Sequence, residues 1–124
     1  MLLSKLVMAL TVATKSVTAI QVNVYHDGAC QEYTTSYNPS SDMSCYGYNV
    51  PDTNSQIIAD CDDGMVCGCI FYTEDNCQGN SNMQWLNIEF LENKCVTNGG
   101  GWKSVACSSA ISADQLPPIL FPPI

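Results

Sequence analysis

Eight cysteines follow an apolar N-terminal segment, and this combination constrains the fold more than any other feature of the chain. An even number of cysteines in a short exported chain is typical of a disulfide framework rather than of a metal or redox site. We therefore expect a small domain that binds no cofactor and in which every cysteine is paired. The cysteines are Cys30, Cys45, Cys61, Cys67, Cys69, Cys77, Cys95 and Cys107.

The first 19 residues have the features of a cleavable export signal. Lys5 supplies a positive start, residues 6–13 are apolar, and Val17-Thr18-Ala19 offers small residues to a signal peptidase. The apolar segment is too short to cross a bilayer as a helix. We predict a signal peptide at 1–19, cleavage after Ala19 and secretion to the extracellular space. The alternatives are a retained N-terminal anchor and a buried helix.

The chain that remains after cleavage is strongly acidic. Residues 20–124 contain two lysines, Lys94 and Lys103, and twelve Asp and Glu residues, so their net charge is −10. Nucleic acid and anionic lipid both bind through positive charge, so this composition argues against both partners. We expect a monomer that does not insert into membranes and whose partner is an extracellular protein or a glycan.

The cysteine-bearing part of the chain contains a similar unit twice. Residues 24–31 align with residues 71–78 with identical Tyr, Cys and Gln, and two later cysteines recur at similar offsets. The sequence thus predicts one domain at 20–107, made of two units at about 21–62 and 66–107, and a proline-rich extended tail at 108–124. The tail is either an end that lies along the apolar surface of the domain or a docking segment for a partner.

Each unit has the pattern of β-structure. Gln21–Tyr25 and Val66–Tyr72 alternate between polar and apolar residues or are rich in β-branched and aromatic residues, and turn residues follow both. Gln56–Ala59 and Lys103–Ala106 are short candidate strands, and Met83–Phe90 alternates as well. Frequent short strands with turns between them favour an all-β sandwich or barrel.

The second unit carries a family resemblance. Tyr72, Cys77 and Gly79, followed by Ser104 in Trp102-Lys103-Ser104-Val105, resemble the signature of a βγ-crystallin Greek-key unit. In that family a glycine with positive φ folds the first hairpin over the sheet, and a serine precedes the last strand. The resemblance implies an all-β, disulfide-rich double Greek-key sandwich, with Tyr25, Tyr72, Gly79 and Ser104 as the residues of the fold motif.

The first unit matches the same signature less completely. Tyr25 and Cys30 keep the spacing, Ser55 is the candidate serine, and Glu32 stands where the glycine is expected. A positive φ at Glu32 would cost about 1–2 kcal/mol, so the hairpin is expected to turn elsewhere, with Gly28 as the candidate.

The equivalence of the two units also suggests a disulfide pairing. Symmetry between the units favours Cys30–Cys45 and Cys77–Cys95, with other connectivities open. Cys67 and Cys69 lie on one face of a strand, so we expect them to bond to different partners.

The opening around Tyr25, Asp27 and Cys30 is similar to that of small secreted cysteine-rich proteins of fungi. This resemblance implies a secreted, non-enzymatic protein of the candidate-effector type. Related folds include protease inhibitors, for which residues 46–54 would form the inhibitory loop. They also include killer toxins and antimicrobial proteins, against which the negative charge argues.

Few residues are candidates for catalysis or metal binding. His26 is the single histidine, and its neighbour Asp27 points to the opposite face of a strand, so we predict turn residues and no enzyme. Asp60, Asp62 and Asp63 form a weak Ca²⁺ candidate whose spacing does not fit an EF-hand loop; we expect an exposed acidic turn and no metal.

Tyrosines are concentrated in one polar stretch. Tyr33, Tyr37, Tyr46 and Tyr48 form the candidate binding face, because aromatic rings with polar neighbours contact glycans and protein surfaces. The alternative is an ordinary half-buried β-surface.

Overall fold

The computed structural model describes residues 20–48, 54–62, 64–88, 95–97 and 101–120. The predicted signal peptide lies outside the described residues. Eight strands and two short 3₁₀ turns are present in the described part of the chain. The strands are β1 (Gln21–Tyr25), β2 (Tyr33–Tyr37), β3 (Tyr46–Gly47), β4 (Ser55–Asp60), β5 (Val66–Glu74), β6 (Gln78–Leu86), β7 (Val96–Thr97) and β8 (Ser104–Ala110), and the turns are Ala113–Gln115 and Pro118–Leu120.

The strands form two four-stranded antiparallel sheets. The first sheet has the order β2-β1-β4-β7 and the second has the order β3-β8-β5-β6. Each sheet therefore contains three strands from one half of the chain and one short strand from the other half. β3 of the first half pairs with β8, and β7 of the second half pairs with β4. The all-β prediction is confirmed, and neither half completes its own sheet.

The alternation of the sequence positions the strands. β1 has the predicted bounds, and the short candidates at 56–59 and 103–106 fall largely within β4 and β8. The predicted strand Met83–Phe90 overlaps only the last part of β6, and Glu89 and Phe90 lie outside the described residues. β2 is not among the predicted strands; the tyrosine-rich stretch that contains it is predicted as a binding face, with a half-buried β-surface as the alternative.

The main core lies between the two sheets. In β1, Val22 and Val24 are fully buried, while the residues that alternate with them are only partly buried. They pack in one cluster with Ile58 of the first sheet and with Phe71 and Val105 of the second. Burial of one face of each sheet against the other is the ordinary way in which two such layers are stabilised.

All eight cysteines are bonded, in four disulfides: Cys30–Cys95, Cys45–Cys77, Cys61–Cys67 and Cys69–Cys107. The pairing favoured by symmetry, Cys30–Cys45 with Cys77–Cys95, is wrong. The same four cysteines are bonded between the halves, because the exchanged short strands carry Cys45 and Cys95 towards the opposite half. Four disulfides are typical of extracellular proteins.

Cys67 and Cys69 share one face of β5, as predicted. Both side chains are fully buried in the main core. Cys67 bonds to Cys61 at the start of the strand, and Cys69 bonds to Cys107, which is its direct partner in the pairing of β5 with β8. The prediction that they bond to different partners is confirmed.

A buried serine fastens the folded hairpin in each half. The Ser104 hydroxyl donates to the Glu74 carbonyl (2.6 Å) and accepts from the Cys77 N–H (2.9 Å). In the first half, the Ser55 hydroxyl donates to the Asp27 carbonyl (2.6 Å) and accepts from the Cys30 N–H (3.1 Å). Both serines are fully buried, so these bonds satisfy backbone groups that water does not reach.

The hairpins turn at cysteines as well as at glycine. Gly79 has φ +87°, as the resemblance implies, and a Cβ there would meet the Thr73 side chain at 2.6 Å. Cys30 and Cys77 also have positive φ, 54° and 56°. The first hairpin turns around Gly28, as expected, but the left-handed residue of this turn is Cys30 and not the glycine.

The C-terminal segment packs on the outer face of the second sheet. β8 continues to Ala110, and 3₁₀ turns at 113–115 and 118–120 replace the predicted extended chain. Leu116 and Leu120 are almost completely buried and pack with Ile70 in a second apolar cluster. Residues 121–124 lie outside the described part.

A tryptophan anchors this segment. The Trp85 indole N–H donates to the Leu120 carbonyl (2.8 Å). The ring lies over Gly68, its direct partner in the pairing of β5 with β6, where an added Cβ would come within 2.9 Å of it. Because Gly68 has no side chain, the Trp85 indole can pack directly against the sheet at this position.

Candidate functional site: an amide and tyrosine face on the first sheet

A row of polar side chains runs along the outer side of β1. Gln21, Asn23 and Tyr25 alternate with the buried residues and are half-buried. The Gln21 side-chain amide donates to the Asn23 side-chain oxygen (2.9 Å), and the Asn23 amide donates to the Tyr25 hydroxyl (3.5 Å). We call these three residues together with Tyr33 the amide–tyrosine face.

Tyr33 gives this face an exposed aromatic ring. Its side chain is 58% exposed, and the ring meets Tyr25 edge-on at a centroid distance of 6.0 Å. The pairing of β1 with β2 shifts register between Val24 and Tyr25, so Tyr33 comes to lie opposite Tyr25. An irregularity of this kind re-aims a side chain at the end of a strand.

The neighbouring strands extend the face on both sides of β1. Asn23 lies between Ser36 of β2 and Ile57 of β4 in direct register. Because β1 is hydrogen-bonded to strands on both sides, the spacing of its outward side chains is fixed by the sheet. The sequence signal for this face is the polar alternation in β1, which predicts the strand but does not by itself indicate a site.

The other predicted tyrosines form a separate stack. The Tyr37 ring stacks on Tyr46 at 5.2 Å and on Tyr48 at 4.5 Å. The Tyr37 hydroxyl donates to the Gln56 side-chain oxygen (2.5 Å), and the Gln56 amide donates to the Tyr48 hydroxyl. The predicted set of four tyrosines is thus divided between two places, with Tyr33 in one and the remaining three in the other.

Burial in the stack changes the acidity of two hydroxyls. Tyr37 is only 8% exposed, and desolvation raises its pKa well above the ordinary 10.0. Burial also raises the pKa of Tyr48, although its hydrogen bonds to Gln56 and Tyr37 act in the opposite direction. Tyr37 therefore presents little surface to a partner, whereas the Tyr46 ring is 36% exposed.

The carboxylate of Asp27 is hydrogen-bonded to the backbone of its own hairpin. It accepts hydrogen bonds from the backbone N–H groups of Glu32 (2.9 Å), Gln31 (3.0 Å) and Ala29 (3.1 Å). The hydrogen bond from Glu32, followed by those from the other two amides, lowers the pKa of Asp27. The adjacent His26 is exposed, and its backbone N–H donates to the Glu32 carbonyl (2.9 Å).

The acidic turn after β4 also makes contacts within the protein. The Asp62 carboxylate accepts from the Ser109 hydroxyl (2.7 Å), and the Asp60 carboxylate accepts from the Cys61 N–H (2.9 Å). Asp63 lies outside the described residues. Within the described ranges, no group of three or more His, Cys, Asp or Glu side chains is placed to hold a metal ion.

Comparison with known proteins adds no relative. No family model matches the chain, and neither a curated protein nor a solved structure matches it. Among the residues with described positions, no helix is long and apolar enough to cross a membrane.

Proposed function

We propose that this chain is a secreted, non-enzymatic protein that binds a partner outside the cell through the amide–tyrosine face. The observation that carries the proposal is the exposed Tyr33 ring beside the row of amides on β1. Exposed tyrosine beside adaptable polar groups is a combination that binding surfaces use, because it offers contact area at a low entropic cost.

The disulfide framework supports an extracellular role. Four bridges stabilise the chain by restricting its unfolded state, each by about 2–4 kcal/mol. The engagement of Asp27 by three backbone amides supports a structural role for the His26-Asp27 pair rather than a catalytic one.

We further propose that the fold is a double Greek-key sandwich of the βγ-crystallin type. The exchanged β3 and β7 and the equivalent hydrogen bonds of Ser55 and Ser104 support this relationship. The effector role and the fungal source rest on the resemblance of the opening around Tyr25, Asp27 and Cys30.

A pull-down tests the proposed function. Oxidised protein and a Tyr33→Ala variant are immobilised separately and exposed to the same extracellular fluid. We expect a partner that the parent protein retains and the variant loses. Equal recovery by both proteins would remove the amide–tyrosine face from the proposal.

One observation favours protease inhibition as a second candidate. The ends of the 46–54 segment are fastened, by the Cys45–Cys77 bridge next to Tyr46 and by the hydrogen bond from the Asn54 N–H to the Tyr25 carbonyl (3.0 Å). Fixed loop ends reduce the order that binding to a protease would have to impose. Residues 49–53 lie outside the described part, and an inhibition assay on a panel of extracellular proteases tests this candidate.

The killer-toxin or antimicrobial alternative is opposed by the charge. A net charge of −10 after signal cleavage does not favour attachment to anionic cell surfaces. Growth assays with purified oxidised protein test it, and we expect no inhibition of growth.

A further inference from the structure

We infer that the ligand of the amide–tyrosine face is a neutral oligosaccharide. This inference rests on the proposed function, because it names the chemical class of partner that the same surface would bind. Three properties of the face carry it, namely its unused hydrogen-bonding capacity, its exposed ring and the sign of the charges around it.

The first property is hydrogen-bonding capacity that the contacts among the described residues leave unused. Each side-chain amide has two N–H donors and an oxygen with two lone pairs. The bond from Gln21 to Asn23 and the bond from Asn23 to Tyr25 each use one of these donors, so they orient the groups without exhausting them. Sugar hydroxyls both donate and accept, and a row of oriented amides and a phenol matches them.

The second property is the ring at one end of this row. Tyr33 is the most exposed aromatic residue in the described part of the chain. One edge contact with Tyr25 holds the ring, so it is supported while much of its surface stays accessible. The C–H face of a pyranose packs on such a ring, and the apolar contact adds to the hydrogen bonds.

The third property is the charge around the face. Asp60 lies opposite Gln21 on β4, and the exposed Glu32 precedes Tyr33 in the chain. The lysine of the described part, Lys103, comes just before β8 in the other sheet. Negative groups at both ends disfavour an anionic polysaccharide, and the face itself has no charge with which to bind a cation directly.

The dimensions and rigidity of the face suit a short glycan. From Gln21 to Tyr25 the strand advances about 13 Å at about 3.3 Å per residue, enough for an oligosaccharide of a few sugar units. The side chains stand on a strand with neighbours on both sides, so little order has to be imposed on binding.

The test titrates isotope-labelled, oxidised protein with soluble neutral oligosaccharides. The probes are β-1,4- and β-1,3-linked glucose oligomers, β-1,4-linked N-acetylglucosamine oligomers and mannose oligomers, and oligogalacturonate is the anionic comparison. We expect at least one neutral oligomer to shift the side-chain amide signals of Gln21 and Asn23 and the ring signals of Tyr33. We expect weaker shifts or none with oligogalacturonate.

Variants locate the binding. Tyr33→Ala should weaken the affinity on the order of tenfold, whereas Tyr33→Phe, which keeps the ring, should retain most of it. Ile119→Ala, at an exposed residue on the outer side of the second sheet, is the control and should bind as the parent does.

Three results would overturn the inference. Binding of a neutral oligomer without any shift at Gln21, Asn23 or Tyr33 would place the site elsewhere. Preference for oligogalacturonate would contradict the charge argument. No binding of any neutral oligomer at millimolar concentration, together with a Tyr33-dependent partner in the pull-down, would refute the glycan and leave the proposed function standing.

Discussion

Ser55 and Ser104 make the same two hydrogen bonds in the two halves of the chain. Each hydroxyl accepts from the N–H of a cysteine with positive φ and donates to the carbonyl three residues before that cysteine. Each serine begins the last strand of its half. The last strand of each half therefore holds the hairpin formed by the first two.

Loss of either hydroxyl should destabilise the protein by a similar amount. We expect Ser55→Ala and Ser104→Ala each to lower the free energy of unfolding by about 1–3 kcal/mol, because two backbone groups lose a buried partner. Denaturant titration with the disulfides intact measures the loss, and Ser81→Ala at an exposed position in β6 is the control. A loss in one half only would show that the two serines are not equivalent.

The bridges between the halves can be identified by cleavage without reduction. Cyanogen bromide cuts after Met43, Met65 and Met83, and trypsin cuts after Lys94 and Lys103. Because Cys30 bonds to Cys95, we expect the fragment that ends at Met43 to be linked only to the peptide 95–103. Mass spectrometry before and after reduction checks this.

The same digest distinguishes the alternative pairing. The peptides 44–65, 66–83 and 104–124 should form a second linked species through the other three bridges. With Cys30–Cys45 and Cys77–Cys95 in place, 95–103 would instead appear joined to 66–83, and the fragment that ends at Met43 would be joined to 44–65.

The C-terminal segment should contribute measurably to stability. Leu120→Ala is expected to cost about 2–5 kcal/mol, since the side chain is fully buried in the second apolar cluster. Ile119→Ala, at the neighbouring residue of the same turn and 55% exposed, should cost no more than about 0.5 kcal/mol. Chemical denaturation compares the two variants.

Release of this segment should also be visible in fluorescence. Removal of residues 116–124 deletes the Leu120 carbonyl, which accepts the hydrogen bond from the Trp85 indole. It also deletes Leu116 and Leu120, which cover the outer face of the second sheet. In a Trp102→Phe background, we expect the Trp85 emission to shift to the red. Unchanged emission and unchanged stability would show that the segment does not hold to the sheet in solution.

Stability should fall at alkaline pH because of the tyrosine stack. The pKa values of Tyr37 and Tyr48 are raised by burial, so the fold favours their protonated form. This contribution is complete below the ordinary tyrosine pKa of 10.0 and is lost as the pH rises above it towards the folded values. We expect a denaturation midpoint that is constant from neutral pH to about pH 10 and decreases beyond it.

Two variants separate the stack from general alkaline effects. Tyr37→Phe removes one titrating group and the bond to Gln56, so it should lower stability at neutral pH by about 1–2 kcal/mol and flatten the alkaline decrease. Tyr46→Phe, at the exposed end of the stack, should leave the alkaline decrease in place. An equal pH dependence in all three proteins would contradict the role of the buried hydroxyls.

Local patterns in the sequence predicted those elements whose environment follows from alternation. β1 begins and ends as expected because one of its faces is buried and the other is not. The common face of Cys67 and Cys69 follows from the same two-residue period. Ser55 and Ser104 could be predicted as fold-motif residues because the signature that the chain resembles has a serine just before the last strand of each unit.

Features that depend on contacts between the halves could not be read from the sequence. β3 and β7 have two residues each, and their pairing with the opposite sheet leaves no periodic signal. The disulfide pairing was missed for the same reason, since it follows that exchange. The amide–tyrosine face was missed because β2 places Tyr33 beside Tyr25 across a hairpin, whereas the sequence places Tyr33 nearest to Tyr37.

The bridges that cross between the halves have a consequence for resistance to proteolysis. If a protease cuts the chain at the exposed Gly64, the two fragments remain joined through Cys30–Cys95, Cys45–Cys77 and Cys61–Cys67. We expect the short strands to stay in their adopted sheets, because Cys45 and Cys95 beside them remain bonded to the opposite half. Cleavage at this turn would therefore leave the two halves joined.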